Sequence, residues 1–416
     1  MTLLVSGCTG SVLFGPGSTS AAPGGGTGGA SGAGATPTSA SADAADGRMR
    51  GEFPVVGPQE RIRLYAQDRL ATMTLEQKLA SLFLVHVGGT DPAAMQSYLA
   101  ANQPAGVLLL GDNVPGSAAE AAALTSALAA PTAETGLGTL IAIDEEGGIV
   151  ARLADDVFPS AETLKGEPPE ATTAAFAARA DLLQANGMTV NFGVVADVTA
   201  DPASFIFDRA LGTDAASASP RVSAAVGAER GHVFSTLKHF PGHGAASGDS
   251  HSSVPSTDLP LEQWRTDVAP PFEAGIDAGA ELVMFGHLAY TAVDPAPASL
   301  SPEWHRILRD ELGFEGVSVT DDLLMLEASG VPAYADRTTN AVAAIAAGND
   351  LLLYNTTLDL PPLVAALASA VTAGTIPADR VDDAALHVLE LRRAQWLQQH
   401  PAGAAPSAAA APPSAG

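Results

Sequence analysis

The residues of this chain that could do chemistry crowd into one stretch, Lys238-His239-Phe240-Pro241-Gly242-His243-Gly244, which runs on to Asp249-Ser250-His251. Three imidazoles, an amine and a carboxylate can take up, hand on and donate protons near neutral pH. Pro241 and Gly242 stop any regular element. The polar side chains are therefore expected on a loop at the end of the β-prone run Val233 to Leu237, the usual place for chemistry. Carboxylates recur in Asp144-Glu145-Glu146-Gly147-Gly148 and in Thr320-Asp321-Asp322-Leu323-Leu324-Met325. His and Asp also suit zinc. Pro241 breaks the helix that would bring His239 and His243 onto one face, however, and there is no HExxH-like arrangement. The expectation is no metal and no cofactor.

These groups need a frame. Eight short apolar runs, Leu82 to Val87, Gly106 to Leu110, Thr139 to Ile143, Thr189 to Val195, Val233 to Leu237, Glu281 to Phe285, Gly316 to Thr320 and Asp350 to Tyr354, alternate with helix-length segments such as Ala171 to Ala185 and Arg337 to Ala347. Thr74-Leu75-Glu76-Gln77 reads as a capping box at the first helix of the series. The alternation predicts an α/β protein, a single (β/α)8 TIM-type barrel, with an open doubly wound sheet as the alternative. In a barrel the chemistry sits past the carboxyl ends of the strands. Asp144 and Glu145, Asp197, Lys238 and His239, His287, Asp321 and Asp322, and Asn355 all fall at such ends.

Away from this body the chain changes character. Its 416 residues carry a net charge of −26, which repels nucleic acid and anionic surfaces. The single cysteine, Cys8, excludes an intramolecular disulfide. Leu3-Leu4-Val5-Ser6-Gly7-Cys8 resembles the end of a bacterial lipoprotein signal, although the basic segment and most of the apolar segment of such a signal are missing. The expected organisation is a partial signal over 1–8, a disordered Gly/Ala/Ser/Pro linker over 9–53, the barrel over 54–400 and a disordered tail over 401–416. An exported protein, secreted or held at the cell surface, is implied, with a membrane reached only through a lipid on Cys8.

Taken together, the KHFPGHG run with its downstream Asp249-Ser250-His251, the Asp144-Glu145-Glu146-Gly147-Gly148 element and the Asp321-Asp322-Leu323-Leu324-Met325 element resemble the β-N-acetylglucosaminidases of glycoside hydrolase family three. The resemblance implies that Asp321 is the nucleophile on the anomeric carbon, and that His251, oriented by Asp249, is the acid and then the base. It implies sugar contacts from Asp144, Arg152, Arg209, Lys238 and His239. Retaining hydrolysis needs one ionised carboxylate and one proton donor, and a histidine can fill the second role. The substrate would be a terminal β-linked N-acetylglucosamine on a cell-wall fragment or a chitooligosaccharide. Where many relatives carry Gln and Arg, this chain has Glu145 and Ile149, which puts contacts beyond the terminal sugar in question.

Other readings stay open at this level. The acetamido oxygen could be the nucleophile, with Asp144 and Glu145 assisting; the sugar could be a β-glucoside; phosphate could compete with water at the glycosyl-enzyme. A surface lipoprotein that binds glycans without turnover is the non-enzymatic alternative. Asp322 reads as a cap or a supporting residue, His287 as a hydrogen-bonded packing residue, and Arg152 alone could be a surface ion pair.

Overall fold

The computed structural model describes residues 57–129 and 136–400, all within one compact unit, Val56–Gly416. Cys8, the linker expected up to residue 53 and the tail expected over 401–416 lie outside the described residues.

Each apolar run forms a strand because it is β-branched or aromatic and buried on both faces, as a parallel sheet covered by helices requires. In chain order the strands are β1 (Phe83–His86), β2 (Gly106–Leu109), β3 (Leu140–Ile143), β4 (Val190–Val195), β5 (Phe234–Phe240), β6 (Ser256–Thr257), β7 (Leu282–Phe285), β8 (Ala289–Tyr290), β9 (Val317–Thr320) and β10 (Leu352–Tyr354). β6 and β8 form a small separate ribbon. The other eight pair in parallel in the order β10-β1-β2-β3-β4-β5-β7-β9. Thr320 N–H donates to Leu351 O at 3.0 Å, Leu351 N–H donates to Ser318 O at 2.9 Å, and a parallel bridge joins Val319 to Leu351. These contacts bring the two outer strands together, so the sheet is a nearly closed (β/α)8 barrel and the open-sheet alternative falls.

Helices start where their caps predict. Thr74 Oγ1 accepts from Gln77 N at 3.3 Å while Gln77 Oε1 accepts from Thr74 N at 3.0 Å, completing the capping box. Helix Pro169–Ala185 lies between β3 and β4 in the chain, and helix Arg337–Ala347 precedes β10. At the amino ends of β1 to β3, helix Pro58–Leu70 packs on the long helix Ala378–Gln399. No helix among the described residues is long and apolar enough to cross a membrane.

Candidate active site

The first wall of the site is a tight turn after β3. Glu146 N–H and Gly147 N–H both donate to Val150 O at 3.0 Å, so the chain reverses within four residues. Gly147 and Gly148 have φ of +85° and +68°, which favours glycine. A Cβ on Gly147 would lie 2.1 Å from Nη2 of the buried Arg179. The reversal returns Arg152 beside Glu145, whose Oε2 accepts the amides of Arg152 at 2.9 Å and Leu153 at 3.1 Å. Nε of Arg152 is buried with no partner among the described residues. Glu145 itself is fully buried. Burial, with the Asp156 carboxyl beside it, pushes its pKa up to about 8 against the pull of the two amides, so it is a neutral acid at pH 7.

The second wall comes from β5. Lys238 and His239 lie within the strand, which runs through Phe240, and not on a loop beginning at Lys238 as the sequence suggests. The strand continues because its polar side chains find buried partners. Lys238 Nζ reaches Asp144 Oδ1 at 2.8 Å and Glu146 Oε1 at 2.7 Å. Asp197, at the end of β4, accepts from the backbone N–H of His239 at 3.1 Å, from its Nδ1 at 2.7 Å, and from the backbone of His243. With Nδ1–H given to Asp197, Nε2 of His239 faces Arg209 Nη2 at 3.4 Å as the acceptor. The peptide bonds Lys238-His239 and Phe240-Pro241 are cis. Beyond them the turn is pinned by Trp264 Nε1–H to Pro241 O at 2.7 Å and by Tyr290 O–H to Gly242 O at 2.6 Å.

Arg209 closes the network with a two-pronged contact to Glu146, at 2.9 Å and 2.7 Å. Glu146 thus bridges Lys238 and Arg209. Its burial opposes ionisation, but these two cations overcome the penalty and hold its pKa near 2. For Lys238 the opposing effects have the same outcome, since Asp144 and Glu146 outweigh burial and keep the ammonium charged. Asp144, Arg209, Lys238 and His239 are therefore brought into one contiguous cluster. Glu146 and Asp197, which organise it, were given no role from the sequence. Their signals were the acidic pair before the glycines and the carboxylate at the end of the fourth strand.

Asp321 follows β9, and Phe285 O on β7 accepts its backbone N–H at 2.8 Å. Burial raises the pKa of its carboxyl, but the imidazoles of His239 and His287, the Asp322 amide at 2.8 Å and then Lys238 lower it further, so Asp321 is ionised below the ordinary range. Asp322 turns the other way. Its Oδ1 accepts from Leu324 N at 3.0 Å and Asn355 N at 3.1 Å, stitching the β9 and β10 loops together, and burial beside Asp321 lifts its pKa to about 6. His287 is buried, with Nδ1 2.7 Å from Ser299 Oγ and Nε2 2.9 Å from Asp322 O.

Asp249 and His251 form a separate pair on the loop after β5. Asp249 Oδ1 accepts from both the backbone N–H of His251 at 3.0 Å and its Nδ1 at 2.6 Å. Their side chains are 48% and 65% exposed, so Nε2 of His251 points into an open region. No hydrogen bond or ion pair joins His251 to Asp321 among the described residues. The Phe205 ring stands edge-on 4.7 Å from His243 and 6.2 Å from His251, with the Arg209 guanidinium 5.8 Å away. A cavity of about 490 Å³ lies between the 199–205 and 244–249 loops, with Phe205 and Asp249 in its wall. His243, held neutral by burial with its pKa down to about 4, has neither ring nitrogen hydrogen-bonded among the described residues.

An ionised carboxylate thus stands beside a cluster of charged side chains, with an exposed imidazole oriented by a second carboxylate on the loop after β5, in a chain that has relatives among known proteins. The chain is 36% identical over 266 residues to a Beta-hexosaminidase of Xanthomonas oryzae, covering 60% of this chain and 78% of that one. It is 34% identical over 316 residues to a Beta-hexosaminidase of Xanthomonas campestris, covering 71% and 89%. Among solved structures it is similar to a glycoside hydrolase family 3 beta-N-acetylglucosaminidase from Paenibacillus, with TM-score 0.72 and 31% identity over 80% of this chain and 64% of that one. It is likewise similar to a Beta-N-acetylhexosaminidase from Beutenbergia cavernae, with TM-score 0.67 and 32% identity over 77% and 98%. Residues 74–391 match the glycosyl hydrolase family 3 N terminal domain, and the chain belongs to that family.

Proposed function

We propose that this protein is a retaining exo-β-N-acetylglucosaminidase that removes terminal β-linked N-acetylglucosamine from cell-wall fragments or chitooligosaccharides. The observation that carries the reading is the ionised Asp321 at the carboxyl end of the barrel, beside the cluster of Asp144, Lys238, His239 and Arg209. The names of the relatives support the acetamido sugar.

In the proposed reaction the cluster and Arg152 hold the sugar hydroxyls and the acetamido group, fixing the anomeric carbon over Asp321. An Asp321 oxygen bonds to that carbon as its bond to the leaving oxygen breaks, and His251 Nε2–H gives its proton to the leaving oxygen. Asp249 holds Nδ1–H, so Nε2 is the nitrogen that exchanges protons. Water then attacks the glycosyl ester, His251 Nε2 takes the water's proton, and Asp321 leaves as a carboxylate. The substrate-assisted alternative would require Glu145 as its acid. Glu145 is fully buried, and its Oε2 is occupied by the Arg152 and Leu153 amides, which counts against that route.

The test is turnover of 4-nitrophenyl N-acetyl-β-D-glucosaminide and of the matching β-D-glucoside by wild type and by Asp321→Ala. Preference for the acetamido sugar, lost in the variant, is expected. Preference for the glucoside, or activity surviving in Asp321→Ala, overturns the reading. Export and tethering through a lipid on Cys8 are proposed on the Leu3 to Cys8 pattern and the low-complexity stretch after it. Cys8→Ala should then move the protein from the membrane fraction to the soluble one.

A further inference from the structure

At the opposite end of the barrel, before the amino ends of β1, β2 and β3, lies a second cavity of about 250 Å³. Its walls are Met73, Leu99, Leu128, Leu137 and Leu389, with Arg392 and Arg69 supplying the charge. No acidic residue lines it among the described residues, although the chain as a whole carries a net charge of −26.

Arg392 is the unusual group. Its Nε donates to Gly138 O at 2.7 Å, and Gly138 N–H donates back to Arg392 O at 2.9 Å, so the guanidinium is held in one orientation. Its other two nitrogens make no hydrogen bond or ion pair among the described residues, and neither does the guanidinium of Arg69. Burial, with Arg69 nearby, pulls the pKa of Arg392 down to about 10, which still leaves it charged at pH 7. The residue is half-buried in the cavity wall. Other guanidiniums of the barrel have carboxylate partners: Arg179 pairs with Asp156, Arg209 with Glu146, and Arg380 with Asp350.

A planar guanidinium with two free nitrogens is suited to a two-pronged contact with a carboxylate. The apolar walls suit an aliphatic body, and the volume is below the range of about 300–1,000 Å³ usual for drug-sized ligands, so the ligand is small. We propose that this cavity is a binding site for a small amphipathic monocarboxylate, with the carboxylate on Arg392, Arg69 at the rim, and an aliphatic chain among Leu99, Leu128 and Leu389.

The test is calorimetric titration of the full chain with octanoate, with octan-1-ol as the uncharged control and inorganic phosphate as the anion without a body. Octanoate is expected to bind saturably, with affinity at least about tenfold weaker in Arg392→Gln, since a charged hydrogen bond of this kind contributes about 1.5–3 kcal/mol. Ala100→Trp, on an exposed position of the cavity wall, should block binding without touching Arg392. Turnover of the nitrophenyl hexosaminide should be unchanged in both variants and serves as the check on folding. Octan-1-ol binding as tightly as octanoate would leave only an apolar crevice, and phosphate binding as tightly would leave only an anion site; either overturns the proposal. So does an absence of saturable heat with octanoate, or octanoate affinity unchanged in both variants.

Discussion

The two ends of the barrel treat positive charge in opposite ways. At the carboxyl end Lys238 and Arg209 share Glu146, and Lys238 also holds Asp144, so both of these cations are matched to carboxylates. At the amino end the Arg392 guanidinium has, among the described residues, only the carbonyl of Gly138. The matched network is rigid and already satisfied, and it can position hydroxyls while keeping Asp321 ionised. An unmatched guanidinium positions nothing until an anion arrives. The same residue types serve a preorganised site in one place and an unsatisfied one in the other, and the difference lies in which strand ends supply the acids.

The contrast predicts effects of graded size. Asp321→Ala should lower kcat by about 10⁴-fold or more, the scale seen when a covalent nucleophile is removed, with steady-state turnover as the readout. Glu146→Ala leaves Lys238 and Arg209 without their shared partner. It should cost about 3–5 kcal/mol of stability, measured by denaturant unfolding, and should lower turnover as well. His251→Ala should lose about 10²–10⁴-fold in kcat/KM for alkyl glycosides and much less in kcat/KM with a dinitrophenyl leaving group, whose departure needs no proton. A uniform loss across leaving groups would contradict its role as the acid.

Glu145→Gln probes the wall behind Arg152. The folded-state pKa of Glu145, about 8, lies above its ordinary value of 4.5, so the folded protein keeps a proton that the unfolded chain has already given up. Stability contributed by that group is complete below the ordinary carboxyl range, falls as pH rises towards about 8, and is level above it. Glutamine keeps the acceptor for the Arg152 and Leu153 amides and removes the titration. The variant should therefore lose less melting temperature than wild type between pH 5.5 and 8.5. Glu229 and Glu281, both buried with pKa pushed up to about 7, leave some slope in place. The smallest effect is expected at the other end, where Arg392→Gln should change turnover by less than about twofold, in line with surface changes away from a site.

Much of the architecture was legible because it depends on local pattern. All eight apolar runs became barrel strands, and the Thr74 capping box formed as spaced, since pleat and cap are set by neighbours in sequence. The extent of β5 was not legible. Lys238, His239 and Pro241 are poor strand residues in isolation, and only the buried acceptors on Asp144, Glu146 and Asp197 make an extended backbone tolerable there. The same limit hid Glu146. Its partners are 63 and 92 positions away in the chain, at Arg209 and Lys238, and nothing in its neighbourhood distinguishes it from Glu145.

Residue types, their order along the chain and the family they resemble were sufficient to mark out the barrel, the strand ends that carry polar groups, and the candidates Asp321, His251 and Asp249. They could not say which carboxylates are charged. Asp321 and Asp322 are neighbours, as are Glu145 and Glu146, yet within each pair one is held ionised and the other is pushed towards its neutral form. Burial alone would neutralise all four. The deciding quantity is the distance to Lys238, Arg209 and His239, and that distance exists only once the barrel has brought its strand ends together.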